Sequence, residues 1–276
     1  MDKMPRMKKA YEEATSGRTG DTPTLRLFAL LEVIAQRDEP FTQQAIVQKM
    51  GLPKPTVHRM LQQLEAAGLL QREGNGRHYG GGHRLRLLAE QLMLNSATQG
   101  ARHAVLRQLV DTLGESCNLT CFARGEVLYL DRVETAAPLR FYLHPGSRVP
   151  AHCSATGKLF LSLLSPAQRQ RLLSAVALER FTAATLTDLD ALEREIAHVA
   201  AEGHALDNEE FLPGLRCIGV LVPSVTGRAN LGIAVQAPTI RFSKDKALAC
   251  LPMLRKAALA LARINDGLFD PTSDHE

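Results

Sequence analysis

The sequence predicts an α+β chain in two domains, a winged helix-turn-helix of about 60 residues followed by a mixed sheet domain. Three observations carry that expectation. Runs of helically spaced apolar residues precede a glycine-turn hairpin within residues 23–83. The excess of positive charge is confined to the same part of the chain. Beyond it, strands come first, helices gather in the middle and strands return.

Residues 1–22 are polar and rich in Gly, Ser and Thr, and are expected to form a flexible N-terminal arm. From Thr24, the residues Leu27, Leu30, Leu31 and Ile34 follow an i, i+3, i+4, i+7 pattern and predict a first helix, ended by Arg37, Asp38, Glu39 and Pro40. Thr42 is the expected N-cap of a second helix that turns Ala45, Ile46 and Met50 inward. Gly51 breaks it by taking a left-handed turn conformation. After Leu52-Pro53-Lys54-Pro55, a third helix runs from about Thr56 to Ala67 with Val57, Leu61 and Leu64 as its buried stripe and Met60 alongside. Gly68 stops it. Leu69 to Glu73, a Gly74-Asn75-Gly76 turn and a return strand around Arg77 to Tyr79 read as a hairpin, the wing.

Residues 84–113 are helical by the spacing of Leu85, Leu88, Leu92, Val105 and Leu109. Their first part, 84–98, is expected to link the domains. The second domain, 99–268, opens with strands at 117–123, 126–133 and 139–144, with Gly125 in a tight hairpin. Helices follow at about 154–164, 166–176 and 188–202. Strands at 217–223 and 230–238 flank a Thr-Gly-Arg turn, a last helix covers about 243–265, and 269–276 is a tail.

Charge assigns the first domain a partner. Residues 1–95 hold 14 Lys+Arg against 10 Asp+Glu, and residues 96–276 hold 19 against 19, so the whole net charge of +4 lies in the first third. A compact basic module beside a neutral one points to a polyanion. The outward face of the third helix carries Lys54, Thr56, His58, Arg59, Gln62 and Gln63. B-DNA's major groove admits such a helix. There, Lys54 and Arg59 can neutralise phosphate or read guanine, Gln62 or Gln63 can pair with adenine, and Thr56 can meet phosphate or a thymine methyl. Gln43, at the start of the second helix, joins the candidate contacts, and Arg72, Arg77 and His78 in the wing can reach the backbone or minor groove. One recognition helix covers too few base pairs, so two half-sites read by a homodimer or a dimer of dimers are expected.

No apolar run approaches the roughly 20 residues that cross a bilayer, and the N-terminus has no apolar signal core. A cytoplasmic protein without membrane contact is expected. The five cysteines, Cys117, Cys121, Cys153, Cys217 and Cys250, form no CxxC pair, so reduced and mostly buried thiols are expected, with no metal and no cofactor. An enzymatic alternative, a hydrolase using His152 and Cys153, is weak because adjacent strand residues point to opposite faces. No phosphate-cradling glycine loop or Gly-x-Ser-x-Gly elbow is present.

The stretch GLPKPTVHRMLQQLEAAGLLQRE resembles the DNA-binding segment of the IclR family of bacterial transcriptional regulators. YLDRVE, PLRFYLHPGSRVPAHCSATGKLFLSLL, LERFTAATLTD and GHALDNEEFLPGLRCIGVLVP are similar, in order, to that family's effector domain. The resemblance runs from about Thr24 to about Ile264. It implies a GAF-like α/β effector-binding domain after the winged helix, a double-stranded DNA operator, and a small organic acid as effector, with a catabolic operon as the target. Two departures stand out. The wing returns as RHYGGGHRL, whose extra glycines are expected to loosen it, and Pro55 stands where a capping Ser is usual.

Carried over onto this chain, the resemblance places the effector against Ala155, Thr156 and Gly157, which open a helix whose N–H groups suit a carboxylate. From the resemblance alone, Asp207, Leu215, Cys217, Ala234 and Gln236 line the remaining wall. Ala234 and Gln236 stand where small-acid sensors of the family carry serines. Phe141 and Tyr142 alternate on their expected strand, so one of them is expected to face the pocket or its core, and Phe141 is counted with the pocket.

Overall fold

The computed structural model of the chain describes residues 22–35, 41–73, 76–94, 99–123, 125–174, 177–224 and 229–266. The expected arm, the helix stop at 37–40, the Gly74-Asn75 corner, the end of the linker, the turn at Thr226 and the tail lie outside the described residues. The chain divides into two compact units, residues 1–95 and 96–276.

In the first unit, α1 (Pro23–Ala35), β1 (Phe41–Thr42), α2 (Gln43–Met50) and α3 (Lys54–Ala66) precede β2 (Leu70–Glu73), β3 (His78–Gly81) and α4 (His83–Leu94). Thr42 caps α2 by accepting the Ala45 N–H at 3.3 Å, and Gly51 ends it at φ 63°. Leu30, Ile34, Ile46, Val57, Leu61, Leu64, Leu70 and Tyr79 close one core. The third helix starts two residues earlier than expected. Pro53 occupies the N-cap position and its carbonyl accepts the Thr56 and Val57 N–H groups, so Pro55 sits within the first turn, where no intrahelical donor is lost.

The glycine-rich wing is a fitted strand, which corrects the expectation that it is loose. Gly80 pairs with Gln71 and Gly81 with Leu70 in the ladder, and β1 adds a third strand, Phe41 opposite Tyr79. A Cβ on Gly80 would lie 2.1 Å from Glu73 Oε1, and one on Gly82 would lie 2.3 Å from the Gly68 carbonyl. Glycine here permits the close approach of the wing to the end of α3.

The second unit comprises α5 (Gln99–Leu113), β4 (Ser116–Ala123), β5 (Glu126–Val133), β6 (Arg148–Pro150), α6 (Ala155–Ser162), α7 (Pro166–Ser174), α8 (Leu189–Glu202), β7 (Ala205–Asn208), β8 (Leu215–Val222), β9 (Leu231–Pro238), α9 (Lys244–Ala249) and α10 (Leu251–Asn265). The six strands run β6-β5-β4-β9-β8-β7, antiparallel throughout. Helices α5 and α10 pack on one face; α6 packs on the other and α8 lies against it. The single last helix expected over 243–265 is broken at Cys250, with Pro252 in the first turn of α10.

Residues 139–144 are not a strand. The alternation there is real, since Phe141 packs inward and Tyr142 is 78% exposed, but the edge of β5 is taken by β6. The Phe141 main chain is held by a side chain instead: Arg132 donates to its carbonyl at 2.7 Å.

Candidate DNA-binding surface and ligand pocket

Helix α3 buries Val57, Met60, Leu61 and Leu64 and leaves Lys54, His58, Arg59, Gln62 and Gln63 exposed, with Thr56 half-buried. The 3.6-residue period places 54, 58 and 62 in one row and 59 and 63 in the next, forming one cationic and amide face. Gln43 opens α2 and is half-buried; Arg77 is exposed at the base of β3. Arg72 is engaged otherwise than the sequence suggested. Its Nε donates to Glu65 at 2.9 Å, its Nη1 donates to the Gly76 carbonyl at 3.0 Å, and its guanidinium lies 5.1 Å from the centre of the Tyr79 ring. It clamps the wing to the end of α3.

A β-bulge shapes the pocket in the second unit. Leu119 pairs with Asp131 but Thr120 pairs with Tyr129, so one residue of β5 is skipped. Tyr129 and Arg132, three apart, are thereby brought to the same face, whereas Asp131 turns to the other and meets His103 at 3.0 Å. The pocket-side face carries Asn118, Thr120, Leu215, Cys217, Gly219, Gly232, Ala234 and Gln236, and α6 crosses it. Thr120 Oγ1 donates to Thr156 Oγ1 at 3.0 Å, and the Thr156 methyl lies against Gly219 and Gly232.

At the start of α6 a cavity of about 20 Å³ is lined by Ser154, Ala155, Thr156, Asp207, Leu215, Cys217 and Ala234, together with Asn118, Tyr129, Val149 and Phe211. That is room for about one water molecule. Six of the nine expected ligand residues line it. Phe141 packs behind, on Ala155, Leu215 and Cys217. Gly157 is a packing residue: a Cβ there would sit 2.3 Å from the Ala151 carbonyl. Gln236 lies beside Cys217 in the ladder but outside the cavity, its Oε1 accepting from Arg132 Nη1 at 2.5 Å. Ser154 belongs to the helix start already singled out, whereas Asn118, Tyr129, Val149 and Phe211 were not foreseen. Only Asn118 left a signal, a polar residue amid the apolar run of β4.

Burial governs the chemistry of this site. The Asp207 carboxyl accepts the Glu210 N–H at 2.8 Å, yet burial and the Glu210 charge push its pKa up to about 7. Lys158, 1% exposed, donates to Glu210 at 2.6 Å and to Glu195 at 3.0 Å. Burial disfavours its charge, and the two carboxylates more than offset that, so it stays an ammonium. This triad fixes α6 to α8 and to the loop carrying Phe211. Ser154 Oγ donates back to the Pro150 carbonyl at 3.0 Å, leaving the first turn of α6 without a side-chain cap.

The hydrolase alternative fails on geometry. His152 Nε2 is bonded to the Glu179 carbonyl at 3.0 Å, and Cys153 Sγ faces the Pro150 carbonyl at 3.6 Å. Burial pushes the Cys153 thiol far above its ordinary range, so no thiolate nucleophile is available. All five cysteines are buried and unbridged. Among the described residues no cluster of His, Cys, Asp or Glu is arranged to hold a metal. No described helix is long and apolar enough to cross a membrane.

Comparison with known proteins identifies the family of both units. Residues 24–74 match the family model for the IclR helix-turn-helix domain, and residues 97–263 match that for the bacterial transcriptional regulator IclR C-terminal domain. The chain is 45% identical to the "Probable transcriptional regulator SauR" of Cupriavidus necator over 85% of its own length and 93% of that protein's. It is 33% identical to the HTH-type transcriptional regulator BhcR of Paracoccus denitrificans, covering 86% and 85% of the two chains. The inducer-binding domain of the Acinetobacter transcription factor PobR, solved as a double mutant with 3-hydroxybenzoic acid, shares the fold. There the TM-score is 0.56 at 24% identity, over 59% of this chain and 97% of that one. These relatives are regulators and not enzymes, and the chain belongs to the IclR family of bacterial transcriptional regulators.

Proposed function

We propose that this regulator reads a two-fold operator through α3 of two copies and that a small organic acid sets its affinity for that operator, at a catabolic operon. One observation carries the acid reading: the uncapped first turn of α6 opens onto a buried cavity lined by polar groups. N–H groups at a helix start favour an anion over its neutral analogue. The carboxylic acid held by the PobR domain supports the same chemistry on this fold.

Coupling has a physical basis in the size of the cavity. A space for one water cannot hold an organic acid, so the acid binds a conformation with the pocket opened. A ligand that prefers one of two conformations shifts the balance between them. A coupling of about 1–3 kcal/mol between pocket and operator is the usual size. Calorimetry of the full chain with short carboxylic acids and their methyl esters tests this. The acids are expected to bind and the esters to bind at least about tenfold more weakly; equal affinity for acid and ester would remove the carboxylate from the helix start.

A further inference from the structure

The first turn of α6 is one polar end of the pocket, and Arg132 with Gln236 forms a second that the cavity in its closed state does not reach. The Arg132 side chain is 2% exposed and Gln236 is 2% exposed. Arginine can only donate, so its bond to Gln236 fixes which way that amide faces: Oε1 accepts, and the Nε2 hydrogens remain as donors. Neither Arg132 Nε nor Gln236 Nε2 has a hydrogen-bond partner. Glu134 Oε1 stands 3.7 Å from that Nε, beyond hydrogen-bond reach, and its other oxygen is bonded to Arg140 at 2.7 Å. Two buried donors are therefore left without a hydrogen-bond acceptor, the Arg132 Nε having only the longer ion pair with Glu134, and buried polar groups are rarely left so.

Their position points into the ligand site. Arg132 is the ladder partner of Asn118, and Gln236 is the partner of Cys217 and lies two residues from Ala234; Asn118, Cys217 and Ala234 all line the cavity. Burial raises the Tyr129 hydroxyl and the Cys217 thiol, and the Arg132 charge opposes it at both, which places the guanidinium within electrostatic reach of two lining residues. Phe141 packs against the cluster of Ala155, Leu215 and Cys217, and its carbonyl is held by Arg132. Phe141 belongs to a segment outside the sheet, flanked by the exposed Leu139 and Tyr142.

We propose that Arg132, assisted by Gln236, is a second anion contact of the effector pocket, and that the effector is a short acid with two anionic groups, one at each end. This rests on the acid reading above and adds to it the class of acid. The bulge in β5 gives the arrangement its reason, because without it Arg132 and Tyr129 would face opposite sides of the sheet.

Calorimetry on the full chain with malonate, succinate and glutarate against propionate, butyrate and valerate tests the proposal. At one length at least, the diacid is expected to bind tenfold or more tightly than the monoacid. Arg132→Gln should cut that preference to within about twofold, and Gln236→Leu should reduce it by less. Arg132→Lys, which keeps the charge, should retain part of it. Diacids no tighter than monoacids at every length overturn the proposal using the unaltered protein alone, whatever the variants do. So does an Arg132→Gln protein that keeps the full preference. Monoacid binding in either case leaves the acid reading standing, whereas failure of both series to bind overturns that reading and the second contact with it.

Discussion

At the scale of single residues, burial decides more than residue type. Asp207 is a carboxylate by sequence, but in its site the pKa reaches about 7, through burial first and the Glu210 charge second. An acid whose pKa is higher folded than unfolded carries extra protons in the native state. Its effect is to lower stability as pH rises from the ordinary carboxylate range to about 7, by at most about 1.4 kcal/mol per pH unit. Glu210, also raised by burial, adds in the same direction. Asp207→Asn keeps the oxygen that accepts the Glu210 N–H and removes the titration. Urea unfolding at pH 5 and pH 7 should show the native chain losing stability between the two and the variant losing distinctly less; parallel losses would place the titration elsewhere. Gly157 teaches the same lesson, since the space a side chain would need there is taken by the Ala151 carbonyl.

At the scale of elements, α3 and the wing act as one piece. Arg72 ties β2 to Glu65 on α3, and Gly82 lets the chain after the wing pass within contact of Gly68. The exposed face of α3 is thereby presented at a set angle, which base reading requires more than phosphate binding does. Arg59, exposed in the middle of that face, is expected to contact a base edge. Arg59→Ala should lower affinity for the operator by about 1–3 kcal/mol and change affinity for a scrambled duplex much less. Titrations of both duplexes at one fixed salt concentration measure this. Equal losses on the two would make Arg59 a phosphate contact, and no loss on either would remove it from the interface.

At the scale of the whole molecule, the proposed operator symmetry needs a surface that joins two copies. Helix α4 offers one, with Leu87, Leu88 and Leu92 exposed and the last at 63%. It buries none of its residues fully, and α1 exposes Leu25 and Phe28 besides. Apolar side chains gathered on a helix in this way mark contact with another chain. Leu92→Glu is expected to shift the protein from dimer toward monomer at micromolar concentration in light scattering, and to weaken operator binding in step. An unchanged mass would assign the contact to another face.

Much of this was determined by sequence alone. The stripe Val57, Met60, Leu61, Leu64, the cap at Thr42 and the left-handed glycine at Gly51 are local signals, set by helical period and backbone sterics within a few residues. So the exposed face of α3 was legible almost residue by residue. By local signals the pocket was legible only where a helix start announced itself, and Asp207, Leu215, Cys217 and Ala234 came from the family resemblance. Its remaining wall draws on residues of six strands and depends on which of them share a face, and that depends on register. The bulge opposite Thr120 and the replacement of residues 139–144 by β6 at the sheet edge are register events decided by distant chain. Arg72 and Arg132 show the same division. Arg72 was expected to reach DNA and is bonded to Glu65, and Arg132 carried no local signal yet is buried beside Gln236, because only the packed structure determines which partner each side chain can reach.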